Sequence, residues 1–440
     1  VSNLAYVGKL IEKVVVDQLN EHRTDNNMHQ LHQSAYRKHH SCETALVKIM
    51  NDLLLELDNK RCVALVMLDL SAAFDTVDHG ILLKRLEDDF GIRGSALLWL
   101  ESYFSDRTQA VNINGTISSA RPLTIGMPQG SRIGPTEFPP YTSPMFEIAR
   151  KHGVMVHMYA DDTQIYLPFD IDDYEAAVGK LEACLAEMRK WLTSNHLKLN
   201  DDKTEFIILG QKHVTSKIKG EPAVTIGDCK IVATDLVKNI GAMIDSQLEM
   251  KMHVSHVAKS CYMHLRNIGH IRPSLSQEVT ETLVHAFISS KIDNLNSLLV
   301  GVPECVIKKL QMIQNNALRI VLKKRKCEHI TPMMRQLHWL PIRYRIRFKI
   351  CLLTFKALNG LAPPYLRSLL TLYEPRRNLR SADRLLLKPV VPRLKRTGGR
   401  AFSVCAPTMW NALSEGLRKC TCLETFKTNL KTYLFKEAFD

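Results

Sequence analysis

Apolar residues recur along this chain at helical spacing in some segments and form short continuous runs in others. Helical spacing predicts amphipathic helices, and residues 247–370 are mainly of this kind. The other segments with helical spacing are 4–19, 41–57, 173–194 and 408–438. Ser41 stands at the position of an N-cap, so the helix over 41–57 is expected to begin just after it.

The short apolar runs predict strands between these helices. Residues 62–68 are all apolar and rich in Val and Leu, which is typical of a strand buried on both faces. Residues 108–125 predict a hairpin that turns at Asn114-Gly115. Further strands are predicted at 197–199, at 206–209 and within 224–245.

Two adjacent aspartates, Asp161 and Asp162, lie between the strand-like runs 154–158 and 163–167, so we expect them at the tip of a hairpin. Two ionised carboxylates about 4 Å apart repel each other by about 4 kcal/mol at an effective dielectric of about 20. Such a pair is retained where a cation joins it, most simply a divalent metal ion. A solvated turn is the alternative, because aspartate is common in turns.

A third carboxylate, Asp69, directly follows the apolar run 62–68. If this run and the acidic hairpin are neighbours in one sheet, three carboxylates converge. Oxygen ligands of this kind suit Mg²⁺, and two such ions can assist an in-line phosphoryl transfer. Adjacent residues on a straight strand point to opposite faces, so Asp69 and Asp161 are the stronger candidates and Asp162 needs a bend to join them.

Positive charge is concentrated in residues 301–400, which contain 23 Lys and Arg but 4 Asp and Glu, a net charge of +19. Because the whole chain carries +14, the remainder carries a net −5. Such a block predicts a polyanionic partner, most often nucleic acid; a solvated basic face and an anionic membrane surface are alternatives. No apolar run predicts a membrane span. The 11 cysteines include no Cys-x-x-Cys pair, so reduced thiols are expected.

A series of motifs resembles those of LINE-type (non-LTR) retrotransposon reverse transcriptases. Residues 68–79 (LDLSAAFDTVDH) resemble their first catalytic motif, and 159–163 (YADDT) their metal motif. The other matching segments are 1–4 (VSNL), 33–38 (QSAYRK), 126–131 (GMPQGS), 197–205 (LKLNDDKTE) and 239–245 (NIGAMID). Residues 336–345 (QLHWLPIRYR) and 425–436 resemble the C-terminal region of the jockey and chicken-repeat branches. The resemblance therefore covers nearly the whole chain.

The resemblance implies an α+β, right-hand polymerase fold. Its parts would be a fingers remnant, a palm with a mostly antiparallel sheet, a helical thumb and a basic, mainly helical C-terminal region. The expected ranges are 1–60 for the fingers remnant, 61–245 for the palm with remaining fingers elements, 246–330 for the thumb and 331–440 for the C-terminal region. An endonuclease domain is not expected within this sequence.

The resemblance also implies roles for individual residues. Asp69, Asp161 and Asp162 would hold two Mg²⁺ ions, with Mn²⁺ as a possible substitute, and Lys203 would protonate the leaving pyrophosphate. The residues that would bind the nucleotide are Arg37, Leu70, Phe74, Gln129 and Gly130. Phe74 would crowd a ribose 2′-hydroxyl, and Arg37 would grip phosphate. A core Phe, a solvated Arg and a turn Lys without a role are the alternatives for Phe74, Arg37 and Lys203.

The implied activity is RNA-directed DNA synthesis by two-metal nucleotidyl transfer. A primer 3′-hydroxyl would attack the α-phosphate of a dNTP and release pyrophosphate. The implied partners are an RNA template, a DNA primer or nicked target DNA, and dNTPs, with no membrane. A nuclear location is expected from the family, with the cytoplasm as a second possibility.

Residues 131–140 depart from the family, which has a helix of mostly apolar residues after Gly130. Arg132 replaces a small apolar residue, and Thr136-Glu137 replaces a pair that is usually leucine. Pro139 and Pro140 would each cost about 3 kcal/mol inside a helix, so we expect the helix to be broken here. This leads to a second hypothesis, a catalytically decayed copy that only binds nucleic acid. A host-domesticated structural protein is a third.

Overall fold

A computed structural model describes residues 4–374 and 385–440 of the 440-residue chain. The helices are α1 (Tyr6–Asp25), α2 (Cys42–Asp58), α3 (His79–Asp88), α4 (Ser95–Phe104), α5 (Ile133–Thr142), α6 (Pro144–Lys151), α7 (Tyr174–Ser194), α8 (Lys212–Thr215), α9 (Lys251–Ile271), α10 (Gln277–Val284), α11 (Ser290–Asp293), α12 (Glu304–Leu322), α13 (Ile330–Leu337), α14 (Ile342–Leu358), α15 (Pro364–Arg367), α16 (Phe402–Asn411), α17 (Glu415–Arg418) and α18 (Leu423–Phe439). The strands are β1 (Cys62–Leu68), β2 (Leu70–Ser71), β3 (Thr108–Gln109), β4 (Asn112–Ile113), β5 (Thr116–Ile117), β6 (Arg121–Pro122), β7 (Met155–Tyr159), β8 (Asp162–Phe169), β9 (Lys198–Leu199), β10 (Glu205–Leu209), β11 (Ala223–Ile226), β12 (Cys229–Val232), β13 (Leu236–Asn239) and β14 (Ala242–Asp245). Residues 1–3 of the predicted N-terminal motif lie outside the described residues.

A four-stranded antiparallel sheet in the order β10-β1-β8-β7 forms the centre of the first half of the chain. Every residue of β1 is buried, which confirms the prediction of a strand covered on both faces. Alternate residues of β1 enter different cores because side chains alternate along a strand. Val63 and Leu65 belong to one core, whereas Ala64 and Val66 belong to the other.

The two cores lie on opposite faces of this sheet. The first core contains one face of β1 together with α2, the hairpin β13–β14 and helices from α9 to α18. The second core contains the other face of β1 together with residues of α1 and α3 to α7. The C-terminal helices therefore share one continuous core with α2 and the sheet. The domain boundaries predicted at residues 60, 245 and 330 stay a prediction.

The predicted elements are found close to their expected places. Ser41 caps α2: its hydroxyl accepts the Thr44 backbone N–H, and the Thr44 hydroxyl accepts the Ser41 N–H. The two groups satisfy each other's backbone donors, which fixes the start of the helix. The predicted Asn114-Gly115 turn joins β4 to β5, with both residues at positive φ. All 11 cysteines are free thiols.

The predicted break of the helix at Pro139-Pro140 is wrong, because α5 continues through both prolines. Pro140 has no N–H for the carbonyl of Thr136, one turn earlier. That carbonyl instead accepts a hydrogen bond from Arg23 Nη1 at 3.3 Å. A side chain of α1 therefore replaces the helical bond that Pro140 cannot make.

The other two substitutions in this segment are also accommodated. Glu137 is fully buried in α5 and pairs with the buried Arg23, whose Nη2 lies 2.5 Å from Glu137 Oε2. Arg132 is exposed, so it carries no burial cost, and its backbone N–H donates to Glu12 Oε2 at 2.7 Å. Helix α1 thus supplies partners for both ends of this segment.

Much of the positive charge on α14 is compensated by acids from distant parts of the chain. The ion pairs are Arg343–Glu304, Arg345–Asp293, Arg347–Glu437 and Lys349–Glu43. The acidic partners lie on α12, α11, α18 and α2. Three of these acids lie outside 301–400, so the excess positive charge of that segment is partly neutralised in space. No helix within 4–374 or 385–440 is long and apolar enough to cross a membrane.

Candidate active site

The predicted acidic hairpin is present. Strands β7 and β8 pair up to Tyr159 and Asp162, which leaves a two-residue loop, Ala160-Asp161, here called the acidic turn. Ala160 has a φ of 60°, a conformation that lets the chain reverse within two residues. The first aspartate therefore lies in the turn, and the second begins β8.

Asp69 lies at the same end of the sheet. Strand β1 pairs with β8, and its last residue, Leu68, lies opposite Thr163. Because the strands are antiparallel, the next residue of one strand, Asp69, continues toward the residue before Thr163, Asp162. The condition set from the sequence, that the two acidic segments belong to neighbouring strands, is met.

The three carboxylates influence one another electrostatically. Burial raises the pKa of Asp161, and the charge of Asp69 raises it further. Although the Asp162 side chain is exposed, partial desolvation raises its pKa, and the charges of Asp161 and Asp69 add to this effect. Lys238 on β13 opposes it. The negative charge of Asp69 thus disfavours ionisation of both Asp161 and Asp162, and a bound cation would relieve this repulsion.

These oxygen donors fit Mg²⁺. Within the described ranges, 4–374 and 385–440, no three His, Cys, Asp or Glu side chains are arranged as a ready metal-binding group. Mg²⁺ does not need such a cage, because it keeps several waters and commonly takes one or two carboxylates plus substrate phosphates. Asp69, Asp161 and Asp162 offer only oxygen donors, which Mg²⁺ prefers. A bound ion would also offset the repulsion that the charge of Asp69 exerts on the other two.

Asp69 is held by residues of the segment after α7. The Asn200 side chain donates to Asp69 Oδ2 at 3.1 Å, and the Asn200 N–H donates to the Asp69 carbonyl at 2.9 Å. Lys203 Nζ lies 3.6 Å from Asp69 Oδ2, with its side chain 70% exposed. The structure therefore places Lys203 beside the acidic group. The sequence analysis did not single out Asn200, although it lies in a motif that resembles the family.

A cavity of about 480 Å³ opens beside the acidic turn. Asp161 lines it, and so do four of the residues predicted to bind nucleotide, Leu70, Phe74, Gln129 and Gly130. Gln129 donates to Asp75 Oδ1 at 3.2 Å. The structure thus brings four predicted residues from two separate motifs to one cavity that Asp161 also borders.

The loop that carries Gln129 is fixed against the residues after Asp69. The Met127 N–H donates to the Phe74 carbonyl at 2.7 Å. Gly126 has a φ of 85°, and a Cβ there would lie 2.5 Å from the Asp75 carbonyl oxygen. Only glycine allows this approach of two backbones. The two motifs that line the cavity are therefore in direct backbone contact.

Phe74 belongs to a group of three aromatic rings, two of which line the cavity. Its ring stacks on Phe138 of α5 with centroids 4.6 Å apart and meets the edge of Tyr36 at 6.5 Å. Tyr36 also lines the cavity, and the charge of Asp161 contributes to a raised Tyr36 pKa, after burial. Sequence reasoning missed Tyr36; the signal available was an aromatic residue within the segment 33–38.

Arg37 does not line the large cavity. It lines a different cavity of about 30 Å³, together with Arg23 and His29. Its Nη1 donates to the carbonyls of Gln30 at 2.8 Å and Gln33 at 2.9 Å. At least part of the Arg37 guanidinium therefore holds the loop 30–33, and its predicted role in phosphate binding stays a prediction.

Comparison with known proteins identifies the family of this chain. A sequence profile of the family "Reverse transcriptase (RNA-dependent DNA polymerase)" matches residues 1–250. The "Probable RNA-directed DNA polymerase from transposon BS" of Drosophila melanogaster is 24% identical over 335 residues, which cover 73% of this chain and 36% of that protein. The "RNA-directed DNA polymerase from mobile element jockey" of the same species is 24% identical over 265 residues, or 59% of this chain and 28% of that protein.

The chain thus spans about a third of the length of these relatives. Among solved structures, an apo telomerase from Candida tropicalis aligns with a TM-score of 0.40 and 11% identity, covering 76% of this chain and 54% of that chain.

The profile matches more than half of the chain, with the acidic turn, Asp69 and the loop at Gln129 inside the matched range. The resemblance to non-LTR elements of the jockey type is confirmed by the relatives. The α+β, right-hand polymerase fold predicted from the sequence is confirmed as well. The chain belongs to the reverse transcriptase (RNA-dependent DNA polymerase) family.

Proposed function

We propose that this chain carries out RNA-directed DNA synthesis as the polymerase part of a non-LTR retrotransposon protein. The observation that supports the proposal most directly is the position of three carboxylates at one end of the sheet, next to a cavity lined by Leu70, Phe74, Gln129 and Gly130. The reaction is nucleotidyl transfer: the primer 3′-oxygen forms a bond to the α-phosphorus of a dNTP, and the bond to pyrophosphate breaks.

Asp69, Asp161 and Asp162 would hold the divalent ions. Mg²⁺ held there would lower the pKa of the primer 3′-hydroxyl and would neutralise charge that develops on the phosphates. The chain's own contribution is to hold the three carboxylates together against their repulsion. Asn200 keeps the Asp69 side chain oriented through its hydrogen bond.

Lys203 is proposed as the proton donor to the leaving pyrophosphate. It has an exposed ammonium group 3.6 Å from Asp69, so the side chain is close to the acidic group and still able to move. Its positive charge also suits it to stabilise a departing anion.

The proposed partners are an RNA template, a DNA primer or nicked target DNA, and dNTPs. Lys323, Lys324, Arg325 and Lys326 are all exposed at the end of α12 and are proposed to contact phosphates. Binding through such contacts weakens as salt concentration rises. We also propose a nuclear location, because the nicked target DNA that would serve as primer is found there.

Primer extension on an RNA template tests the proposed function. The purified chain is expected to incorporate dNTPs in the presence of Mg²⁺ and to lose this activity when EDTA is added. Salt-sensitive RNA binding without incorporation would contradict the proposal and favour the decayed copy. Arg132, Glu137, Pro139 and Pro140 motivated that alternative, and all four are accommodated in the fold.

Phe74→Val is expected to raise incorporation of ribonucleotides relative to deoxynucleotides by about tenfold to hundredfold, because removing the ring opens space beside the sugar. The ratio of kcat/KM for rNTP and dNTP measures this effect. Phe169→Val, a change of a buried phenylalanine at the far end of β8, is the control and is expected to leave the ratio unchanged. If the two variants had equal ratios, Phe74 would not be the residue that selects against the ribose 2′-hydroxyl.

A further inference from the structure

We propose that Gln33 is a positioning residue for the acidic turn, and this inference rests on the proposed function. Gln33 touches neither the metal ligands' carboxylates nor the large cavity in the contacts described above. It acts on the backbone of the turn. The segment around it runs beside β7 as a short parallel edge: Ser34 N–H donates to the Met158 carbonyl, and Met158 N–H donates to the His32 carbonyl, both at 2.9 Å.

The side chain of Gln33 reaches the acidic turn directly. Its Oε1 accepts the backbone N–H of Ala160 at 3.2 Å and that of Ala35 at 3.0 Å. Gln33 is 2% exposed and Ala160 is 5% exposed, so water does not readily replace this acceptor. Loss of the side-chain oxygen would leave two buried N–H groups without it, and unsatisfied buried donors are unfavourable.

Ala160 is the residue at which a fixed backbone matters most. Its φ of 60° is in the left-handed region, which a residue with a Cβ adopts only when its surroundings hold it there. Asp161 follows it immediately, so rotation of the Ala160–Asp161 peptide would move the Asp161 carboxylate. Gln33 accepts the N–H of the preceding Tyr159–Ala160 peptide, so its hydrogen bond fixes the backbone where the turn begins, one residue before Asp161.

Gln33 itself is held by a chain of buried hydrogen bonds through its neighbour. Ser34 Oγ lies 2.9 Å from His157 Nε2 on β7 and 2.9 Å from the Tyr365 hydroxyl on α15, which donates to Thr44 Oγ1 at 3.2 Å. Side chains from the segment before α2, from α2 itself, from the sheet and from α15 therefore meet at this point. The hydrogen bonds of Ser34 therefore fix the backbone next to Gln33 and keep its side chain beside the turn.

Replacing Gln33 by leucine, which is similar in size but has no acceptor, tests the proposal. Hydrogen exchange at the Ala160 amide is expected to become about tenfold faster, as expected from loss of one hydrogen bond. Mn²⁺ binding, followed by electron paramagnetic resonance, is expected to weaken several-fold. If the parent polymerises, kcat is expected to fall while KM for the primer–template stays within about twofold.

Gln314→Leu is the matched control. Gln314 is 4% exposed on α12, and its Nε2 donates to the Leu340 carbonyl at 2.8 Å, so this change also removes a buried amide–backbone bond. It is expected to lower stability without changing exchange at Ala160 or Mn²⁺ binding. Equal effects in both variants would reduce Gln33 to a structural residue and overturn the proposal.

The parent protein provides a check that does not depend on a variant that folds. Its Ala160 amide is expected to be protected from exchange, and a rapidly exchanging amide would refute the inference. Exchange and Mn²⁺ binding are measured without polymerisation. An inactive parent with a protected Ala160 amide would therefore count against the proposed function alone.

Discussion

Asp161→Asn will lower the rate of RNA-templated nucleotide incorporation by at least about 1,000-fold. The change keeps the size of the side chain but removes the negative charge that borders the cavity beside the acidic turn. A metal ion supplies several kcal/mol of charge stabilisation in phosphoryl transfer, and about 4 kcal/mol corresponds to this factor. Single-nucleotide incorporation under saturating primer–template, with parent and variant at equal concentration, measures the loss.

Asp172→Asn is the matched control for that experiment. Asp172 is an exposed aspartate in the turn Ile171–Asp173, which follows the opposite end of β8. The control removes one negative charge from the same strand region without touching the acidic turn, and it is expected to retain parental activity. Substantial incorporation by Asp161→Asn would show that Asp161 is not a metal ligand, even with an active parent.

Arg23→Leu will lower the free energy of unfolding by about 3–5 kcal/mol, because it leaves Glu137 buried without its cationic partner. Burial already raises the Glu137 pKa, and Arg23 is the group that opposes this shift. The Thr136 carbonyl would lose its donor in the same change. Urea unfolding followed by circular dichroism measures the difference in stability.

Two further variants separate the buried pair from a general effect of removing an arginine. Arg23→Leu combined with Glu137→Leu removes both charges and is expected to recover most of the lost stability, since apolar replacement of a buried pair is often neutral or favourable. Arg150→Leu breaks an exposed pair with Glu147 and is expected to cost less than about 1 kcal/mol. An Arg23→Leu protein as stable as Arg150→Leu would contradict the prediction.

The loss of Arg23 is also expected to disturb the cavity that Phe74 lines. Helix α5 carries Phe138, on which Phe74 stacks. A helix that loses both its replacement hydrogen bond and its buried ion pair would no longer hold Phe138 firmly. The contacts of Arg23 with Thr136 and Glu137 therefore support the position of Phe74 as well as the helix α5.

The sequence predicted those features that depend on local pattern. The apolar run of β1, the cap at Ser41 and the acidic hairpin each follow from a few neighbouring residues, and the structure has all of them. Motif order then predicted that Phe74 and Gln129 come together, because the resemblance carries tertiary information that spacing alone does not.

The features that the sequence did not predict depend on contacts between distant residues. Arg23 and Glu137 are 114 positions apart, and Gln33 and Ala160 are 127 positions apart. Helix propensity correctly assigns a cost to Pro140. It contains no information about Arg23, the donor from another helix that bonds to the free carbonyl of Thr136. The charges of α14 likewise gave no sign that acids from four other elements would neutralise them.

Strand β1 directs alternate side chains into two cores, so a truncated chain folds only if it keeps the elements that complete both. The family profile ends at residue 250, but the first core continues through α18. A polypeptide that stopped at residue 250 would expose to water the apolar face of α2 that packs on α15 and α16, and we expect it to aggregate. The smallest part of this chain that folds by itself is therefore expected to extend well beyond residue 250.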